Sequence, residues 1–254
     1  MKIVFEYIKY RWNAKGRHGI HSPFVYRFVN ECLTQKLSKE FKQIRTSVFR
    51  KFKYDARQIN VKDFGAGSKK LLPQRKVSSI FRNSSSTGKY AELLFQLSSF
   101  KCPKNILELG TSLGIGTMHL HYGCPEAAIY SIEGCPKTLE VAKENFIGDK
   151  SKVHFIQSDF HSFFKDLINK KYDLVFIDGH HDGKALISYL DLLRNYIYEE
   201  TIIILDDIRW SDSMYESWKE IINNPKYHLT IDLFRMGIIA LRPGQEKEHF
   251  IIKL

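Results

Sequence analysis

Cysteine and long hydrophobic runs are scarce in this sequence. Its 254 residues include four cysteines, and none of them belongs to the CxxC pairs that are common in zinc sites and redox motifs. A disulfide framework is therefore disfavoured, and reduced thiols are expected. No apolar run approaches the roughly 18 residues that a membrane helix requires, and the first residues lack the apolar stretch of a secretory signal peptide. Together these absences predict a soluble, cytoplasmic, globular protein.

Acidic residues are scarce in the first third of the chain. Residues 1–90 contain 21 Lys and Arg against five Asp and Glu, whereas residues 91–254 contain 18 against 23. Such an excess of positive charge favours an anionic partner, which can be a nucleic acid, an acidic small molecule or a membrane surface. The basic side chains are dispersed rather than clustered, so a solvated basic surface explains the composition equally well.

The apolar pattern divides the chain into two parts. Residues 1–86 are predicted to be a basic, mainly helical extension, with one helix that has Ser22 as its N-cap and Pro23 at its first position, and another covering 38–53. From residue 104 short apolar runs alternate with amphipathic segments, which is typical of βαβ units. We therefore predict for residues 87–254 an α/β, Rossmann-like doubly wound fold, whose mostly parallel sheet of seven strands has helices on both faces. The predicted strands are Asn105–Leu109, Ala128–Ile132, Val153–Gln157, Leu174–Ile177, Thr201–Leu205 and two more near 227–234 and 237–242.

Five of the predicted strands end at or near a carboxylate. The carboxyl ends of parallel strands meet at one edge of a sheet, where ligands bind in this class of fold, so these side chains are expected to share a site. Glu133 is suited to accept hydrogen bonds from two ribose hydroxyls. Asp159 can receive an adenine amine or cap the following helix. The complete set is Glu108, Glu133, Asp159, Asp178, Asp206 and Asp207.

The loop after the first of these strands is rich in glycine. Its glycines, at positions 110, 114 and 116, match neither the GxGxxG fingerprint of dinucleotide-binding proteins nor the P-loop. An NAD-dependent enzyme is therefore disfavoured. A turn of this kind lets the backbone approach a ligand closely and directs helix N-terminal amides towards an anionic group.

Taken in order, five motifs resemble one enzyme superfamily. ELGTSLGIGT, SIEGCP, QSDF, LVFIDGHH and ILDDIRWS are similar to the motifs of class I S-adenosylmethionine-dependent methyltransferases. Within that superfamily the chain most resembles the catechol-type O-methyltransferases and a bacterial subgroup that also carries HGIHSPF and DFGAGS. The resemblance covers about residues 87–242. It implies S-adenosyl-L-methionine as the cofactor and methyl transfer as the reaction.

The resemblance also implies roles for individual residues. Asp178, Asp206 and Asp207 stand where catechol-type enzymes bind a divalent cation, and three carboxylates suit Mg²⁺, Mn²⁺ or Ca²⁺. The family usually has Asn at the position of Asp207, and metal-independent relatives also keep acids here, so a purely electrostatic role stays open. His181 replaces the catalytic Lys of those relatives and is the candidate general base, with Asp178 as the second implied catalytic residue. The neighbouring His180 and Lys184 are alternative bases. The implied cofactor-binding residues are Glu108, Gly110, Thr111, Ser112, Gly114, Glu133 and Asp159.

Further candidates surround the expected substrate pocket. His18 and His21 precede a helix that can fold over the carboxyl ends of the strands, or they belong to a simple helix-entry turn. The segment DFGAGSKK, at 63–70, is either a backbone nest for an anion or a structural turn. Trp210 and Trp218 can wall an apolar acceptor pocket, although helical spacing makes ordinary packing equally suitable for Trp218.

The function expected from these features is O-methylation of a small-molecule or glycoconjugate acceptor, with divalent-metal assistance as an open option. The basic extension favours an anionic acceptor. One alternative is a nucleic-acid methyltransferase, which the lack of an NPPY-type or DPPY-type motif disfavours. Another is a methyltransferase-fold protein that binds cofactor or a partner without catalysis.

Overall fold

The computed structural model describes residues 2–16, 20–62, 74–84, 87–166, 170–242 and 244–254. The strands are β1 (Gln58–Asn60), β2 (Gln74–Lys76), β3 (Asn105–Leu109), β4 (Ala128–Glu133), β5 (Val153–Gln157), β6 (Leu174–Ile177), β7 (Ile202–Leu205), β8 (Leu229–Asp232), β9 (Gly237–Ala240) and β10 (Glu248–Ile251). The α-helices are α1 (Lys2–Asn13), α2 (Pro23–Arg27), α3 (Lys39–Tyr54), α4 (Val77–Ser84), α5 (Lys89–Lys101), α6 (Ile115–Gly123), α7 (Pro136–Asn145), α8 (Phe160–Asp166), α9 (Gly183–Leu193) and α10 (Asp212–Asn223). A π-helical turn, Phe28–Cys32, continues α2, and a 3-10 turn, Arg194–Tyr196, continues α9.

The main sheet has the strand order β10-β8-β9-β7-β6-β3-β4-β5. Strand β9 is antiparallel to β7 and β8, and the other neighbouring pairs are parallel. All strands except β9 therefore end at the same edge, which we call the carboxyl edge. Apolar clusters fill both faces of this sheet beneath the helices, so the predicted α/β, Rossmann-like fold is confirmed.

The predicted strand count of seven is wrong, because the sheet has eight strands. The eighth, β10, pairs in parallel with β8 at the outer edge, with Glu248 opposite Leu229 and Ile251 opposite Asp232. Its segment, QEKEHFIIKL, mixes charged and apolar residues as edge strands commonly do. A search for continuous apolar runs does not detect such a strand.

The N-terminal residues share a core with the sheet. Val25, Phe28 and Cys32 are fully buried against α5 and the sheet. Helix α3 buries Phe41 and Phe52 in a smaller cluster with α4 and α6. The helix predicted at Ser22-Pro23 begins at Pro23, but among the described residues the buried Ser22 hydroxyl has no hydrogen-bond partner, so its expected capping role is wrong.

Helix α1 lies at the carboxyl edge. The Tyr10 hydroxyl donates to the carbonyl of Ile252 just after β10, at 2.6 Å. The rings of Tyr7 and Tyr10 pack on Phe234 in the β8–β9 turn, with centroid distances of 4.9 and 5.3 Å. In the described part of the chain, no helix combines the length and apolar character needed to cross a membrane.

Candidate functional site

The glycine loop between β3 and α6 has a backbone that few residue types tolerate. Gly110 has φ of +107°, and a Cβ there would lie 1.9 Å from the carbonyl oxygen of Asp178, which directly follows the neighbouring strand β6. Gly114, at φ of +78°, precedes the first turn of α6. Ser112 is left-handed at φ of +48° despite its side chain. The loop therefore has a fixed shape, with the first turn of α6 beside it.

Glu133 holds this loop in place from the end of β4. Its Oε2 accepts a hydrogen bond from the Ser112 amide, and its Oε1 accepts one from the Cys135 amide, both at 2.9 Å. Each carboxylate oxygen has a second lone pair, so Glu133 retains the capacity to accept from ribose hydroxyls. The structure thus places Glu133 directly against the glycine loop.

Glu108 and Thr111 lie beneath the loop, in a buried polar network. Glu108 is fully buried, and its Oε2 accepts from the hydroxyls of Thr117 and Ser131, both at 2.5 Å. The Thr111 hydroxyl is 2.6 Å from that of Ser131. Burial raises the pKa of Glu108 from its ordinary value of 4.5 to about 7. Both side chains therefore make internal contacts that support the loop from below.

Asp159 acts as a helix cap. Its Oδ1 accepts from the Ser162 amide at 2.9 Å in the first turn of α8, and this hydrogen bond lowers the pKa of the carboxyl. The residue is exposed. The capping alternative is thus observed, and a contact of Asp159 with adenine stays a prediction.

Asp206 and Asp207, at the end of β7, are both bound by one arginine. Arg235 Nε and Nη2 contact the two oxygens of Asp206 at 3.0 and 2.9 Å, which is a bidentate arrangement. Arg235 Nε also lies 2.8 Å from Asp207 Oδ1. The Asp206 side chain is fully buried, whereas that of Arg235 is one-third exposed. This guanidinium is the ion-pair partner of the acids that the resemblance implies as metal ligands.

Local backbone structure aims Arg235 at these acids. It follows Phe234, which has φ of +73° in the β8–β9 turn. Its own carbonyl accepts from the Ile208 amide at 2.9 Å, which ties the turn to the segment after β7. The guanidinium lies 5.6 Å from the centroid of the Tyr90 ring on α5. The main chain of Arg235 is therefore held by Ile208, and its side chain lies between the Tyr90 ring and the two acids.

The residues at this edge do not fit a divalent cation. Carboxylates suit such an ion, but both oxygens of Asp206 and Oδ1 of Asp207 already bind the guanidinium. A unit positive charge 4 Å from another costs about 4 kcal/mol at an effective dielectric constant of 20, and a divalent ion would experience about twice that. No group of three His, Cys, Asp or Glu in the described ranges is arranged to hold a metal. The metal site implied by the resemblance is thus not supported.

His181 lies between two of the acids. Its Nε2 is 4.0 Å from Asp178 Oδ1, and its Nδ1 is 3.9 Å from Asp207 Oδ2. Its ring centroid is 5.6 Å from that of Trp210, whose surface is 66% exposed. The neighbouring His180 has its Nδ1 2.8 Å from the Tyr189 hydroxyl on α9. His181 is accordingly the histidine that the structure brings beside the acids.

Left-handed backbone is concentrated at this edge. Apart from glycine, six described residues have positive φ, and five of them lie in the loops at the carboxyl edge. Such conformations cost free energy and persist where the surrounding structure enforces them, often at functional sites. The five are Ser112, His180, His181, Asp207 and Phe234.

Other predicted site residues lie elsewhere. Trp218 is fully buried and donates to Asp232 Oδ2, so packing is its role. The helix after His21 does not cover the carboxyl edge, because Phe24 packs on Phe100 and Arg242 at the opposite edge. His18 and the segment 63–70 fall outside the described residues.

Sequence reasoning missed Arg235. It stands 29 positions after Asp206, in a turn without a recognised motif. The available signal was topological, since the turn after β8 opens on the same edge as the turn after β7. A basic residue there is close to the strand-end acids.

Comparisons with known proteins agree with this geometry. The sequence model of a family described as a methyltransferase domain matches residues 107–208. The O-methyltransferase TomG from Streptomyces achromogenes, solved with S-adenosylmethionine, is 14% identical, with a TM-score of 0.57 over 86% of this chain and 95% of that one. A Bacillus cereus O-methyltransferase in complex with S-adenosylhomocysteine is 15% identical, with a TM-score of 0.54 over 85% and 97%. A putative caffeoyl-CoA O-methyltransferase from Staphylococcus aureus is 19% identical, with a TM-score of 0.56 over 65% and 88%.

At these identities the solved structures establish a common fold, and the family match establishes a sequence similarity over residues 107–208. The glycine loop, Glu133 and the acids after β6 and β7 all belong to the matched segment or its boundary. Residues 107–208 are therefore similar in sequence to a methyltransferase-domain family, and the chain shares its fold with these solved O-methyltransferases.

Proposed function

We propose that this protein is an S-adenosylmethionine-dependent methyltransferase that methylates an oxygen atom of a small-molecule or glycoconjugate acceptor. The observation that carries the proposal is the glycine loop fixed to Glu133 at the edge where His181 and three aspartates meet. Two solved relatives of the same fold have S-adenosylmethionine or S-adenosylhomocysteine bound, and both are named O-methyltransferases.

Several residues at the carboxyl edge would hold this cofactor. Glu133 would accept hydrogen bonds from the ribose, and Gly110, Ser112 and Gly114 would line the methionine part. Amides in the first turn of α6 suit the carboxylate of that part. S-adenosylmethionine, when bound, supplies an electrophilic methyl group on a sulfonium.

The reaction on the acceptor side needs a base and a fixed orientation. His181 would accept the proton of the acceptor hydroxyl as the oxygen displaces the sulfonium in line. Asp178 and Asp207, about 4 Å from its two nitrogens, would stabilise the imidazolium that forms. The exposed ring of Trp210 would wall the acceptor pocket beside it.

A methyl-transfer assay tests this proposal. Purified protein is incubated with methyl-labelled S-adenosylmethionine and separate pools of hydroxylated small molecules, glycoconjugates and RNA, and labelled products are identified. The expected product is a methyl ether or ester of a small molecule or glycoconjugate. Labelled RNA alone would favour a nucleic-acid methyltransferase, and cofactor binding without any product would favour a non-catalytic protein.

The role of His181 is tested on the acceptor so found. His181→Ala should lower kcat by at least 100-fold, since general base catalysis typically contributes that much. Cofactor affinity should be unchanged. The matched control is His154→Ala, which alters an exposed histidine on β5. Turnover of His181→Ala within threefold of the wild type would remove His181 from the mechanism.

A further inference from the structure

A single arginine takes the place of a metal ion at the acceptor end of the site. We infer that the Arg235 guanidinium is a built-in cation that orients Asp206 and Asp207, and that methyl transfer here proceeds without a divalent metal. The part concerning methyl transfer rests on the proposed function, whereas the part concerning metal binding does not.

Most of the carboxylate oxygens that a metal ion would use at this edge are already bound by Arg235. Asp206 is fully buried and uses both oxygens for Arg235, so a metal ion would have to displace a charged, bidentate partner. Asp207 shares the same guanidinium through Nε. Arg235 is further held by its main-chain bond to Ile208 and by the Tyr90 ring. A cation that is part of the chain is therefore already in position.

The positive charge of Arg235 also stands where that of a metal would be. Three carboxyl groups, those of Asp178, Asp206 and Asp207, meet at this edge, and the Arg235 guanidinium is in direct contact with two of them. Its charge offsets the negative charge of the carboxylates that it contacts. One fixed positive charge thus performs the charge compensation that a metal would otherwise provide.

The inference narrows the acceptor class. Without a metal, the site cannot bind a catechol by chelating two adjacent oxygens. We therefore expect an acceptor whose methylated hydroxyl is recognised singly, by His181 and the neighbouring acids. Such an acceptor needs no vicinal hydroxyl group.

Metal titration of the purified protein tests the inference directly. Mn²⁺ binding is measured by electron paramagnetic resonance for the wild type, Arg235→Gln and Arg235→Lys. The wild type and Arg235→Lys should show no site-specific binding at 1 mM Mn²⁺, because a fixed positive charge remains. Arg235→Gln should bind Mn²⁺ at least tenfold more tightly than the wild type, since its three acids lose their compensating charge.

Arg242→Gln is the matched control, because Arg242 lies over the Phe24 ring at the opposite edge of the sheet. It should bind Mn²⁺ like the wild type. Circular dichroism establishes that each variant is folded, and Arg235→Lys keeps the test valid if Arg235→Gln does not fold.

Micromolar Mn²⁺ binding by the wild type would overturn the inference, as would turnover that EDTA abolishes and Mn²⁺ restores. Failure of the proposed function is distinguishable from failure of this inference, because Mn²⁺ binding can be measured even if the protein transfers no methyl group.

An independent observation concerns α1. Four large apolar side chains on this helix, Val4, Phe5, Ile8 and Trp12, are 58–88% exposed. At 100° per residue they fall within about 100° of the helix surface, away from the buried Tyr10. Exposed apolar stripes of this kind mark interaction sites.

Charge indicates what covers the stripe. Exposed Lys9 and Arg11 flank it on its two sides, and the first 90 residues are strongly basic. An apolar stripe between cations is the pattern of helices that lie in the interface of an anionic membrane, where lysine and arginine reach the headgroups. Nucleic acid would match the charge but leave the stripe uncovered.

We propose that α1 docks on an anionic lipid surface, which would bring the carboxyl edge close to the membrane through the contacts of Tyr7 and Tyr10 with Phe234. Cosedimentation with phosphatidylcholine vesicles, with or without 30% phosphatidylglycerol, tests this. Binding should require the anionic lipid and fall at least tenfold in Phe5→Ser/Trp12→Ser, while Tyr54→Ser, which alters an exposed tyrosine on α3, should bind normally.

Two outcomes would contradict the membrane proposal. One is a lack of sedimentation with anionic vesicles. The other is a stable dimer in light scattering that Phe5→Ser/Trp12→Ser dissociates, because the stripe would then be covered by a second copy of the chain.

Discussion

Substitution of Glu108 should change how stability depends on pH. Burial raises its pKa from 4.5 to about 7, so the folded protein holds this proton more tightly than the unfolded chain does. The contribution of this tightly held proton to the free energy of unfolding is fully present below pH 4.5 and is lost as the pH rises through 7. The difference between a pKa of 4.5 and one of about 7 corresponds to about 3 kcal/mol in the free energy of unfolding. Glu108→Gln removes this loss because the amide does not ionise.

The assay is urea denaturation of the wild type and Glu108→Gln between pH 4.5 and 8. The free energy of unfolding of the variant, relative to the wild type, should rise by about 3 kcal/mol across that range. Glu140→Gln is the control, since Glu140 is exposed on α7 and pairs with Lys137. Parallel pH profiles for Glu108→Gln and the wild type would refute the reasoning. Cofactor affinity should stay within threefold, because Glu108 contacts hydroxyls beneath the loop.

Two further substitutions have predictable effects on stability. Burial lowers the pKa of His119 from 6.5 to about 4, so its contribution is complete above pH 6.5 and is lost as the pH falls to 4. In the wild type, His119 should lower the free energy of unfolding by about 3 kcal/mol between pH 6.5 and 4, and His119→Leu should not show this loss when acid unfolding is monitored by circular dichroism. A variant whose stability depends on pH as that of the wild type does would contradict this. Arg209→Met leaves Asp232 without its bidentate partner, in a pair whose side chains are 8% and 3% exposed. Unfolding in urea should show a free energy of unfolding that is lower by about 3 kcal/mol, which is the cost of leaving the Asp232 carboxylate buried without its guanidinium. A decrease below 1 kcal/mol would contradict this.

The central strands were predictable from the sequence because burial on both faces leaves a simple pattern. LVFI forms β6 at the predicted residues. IIIL forms β7, which ends where predicted but begins one residue later. Both strands are covered on each side, so almost every residue is apolar. The position of Asp178 followed from the end of β6, and that of Glu133 followed from the end of β4.

Contacts between distant segments were not predictable in the same way. Arg235 meets Asp206 because two turns open on the same edge, and no local pattern encodes that pairing. The position of α1 is another example, since aromatic contacts with Phe234 determine it. The sequence alone offered a different helix, the one after His21, as a possible cover of this edge, beside the alternative of a simple helix-entry turn.

Helix capping was only partly predictable from the sequence. Asp159, for which capping was one of two predicted roles, accepts a hydrogen bond from an amide of its helix, and so does Ser38, for which no capping role was predicted. Ser22 precedes a helix with Pro23 at its first position, and the described amides there make no bond to its hydroxyl. Residue preference thus identifies where a helix begins more reliably than which side chain caps it.

Calorimetric titration with S-adenosylhomocysteine, with NAD⁺ as the control ligand, tests whether the protein binds the proposed cofactor. We expect micromolar binding of S-adenosylhomocysteine by the wild type and no binding of NAD⁺. Glu133→Ala should weaken binding by at least 100-fold, because each hydrogen bond to a charged group contributes about 1.5–3 kcal/mol, and Glu140→Ala should bind normally. A wild-type protein that does not bind S-adenosylhomocysteine would contradict the proposed cofactor and, with it, the proposed methyltransferase function.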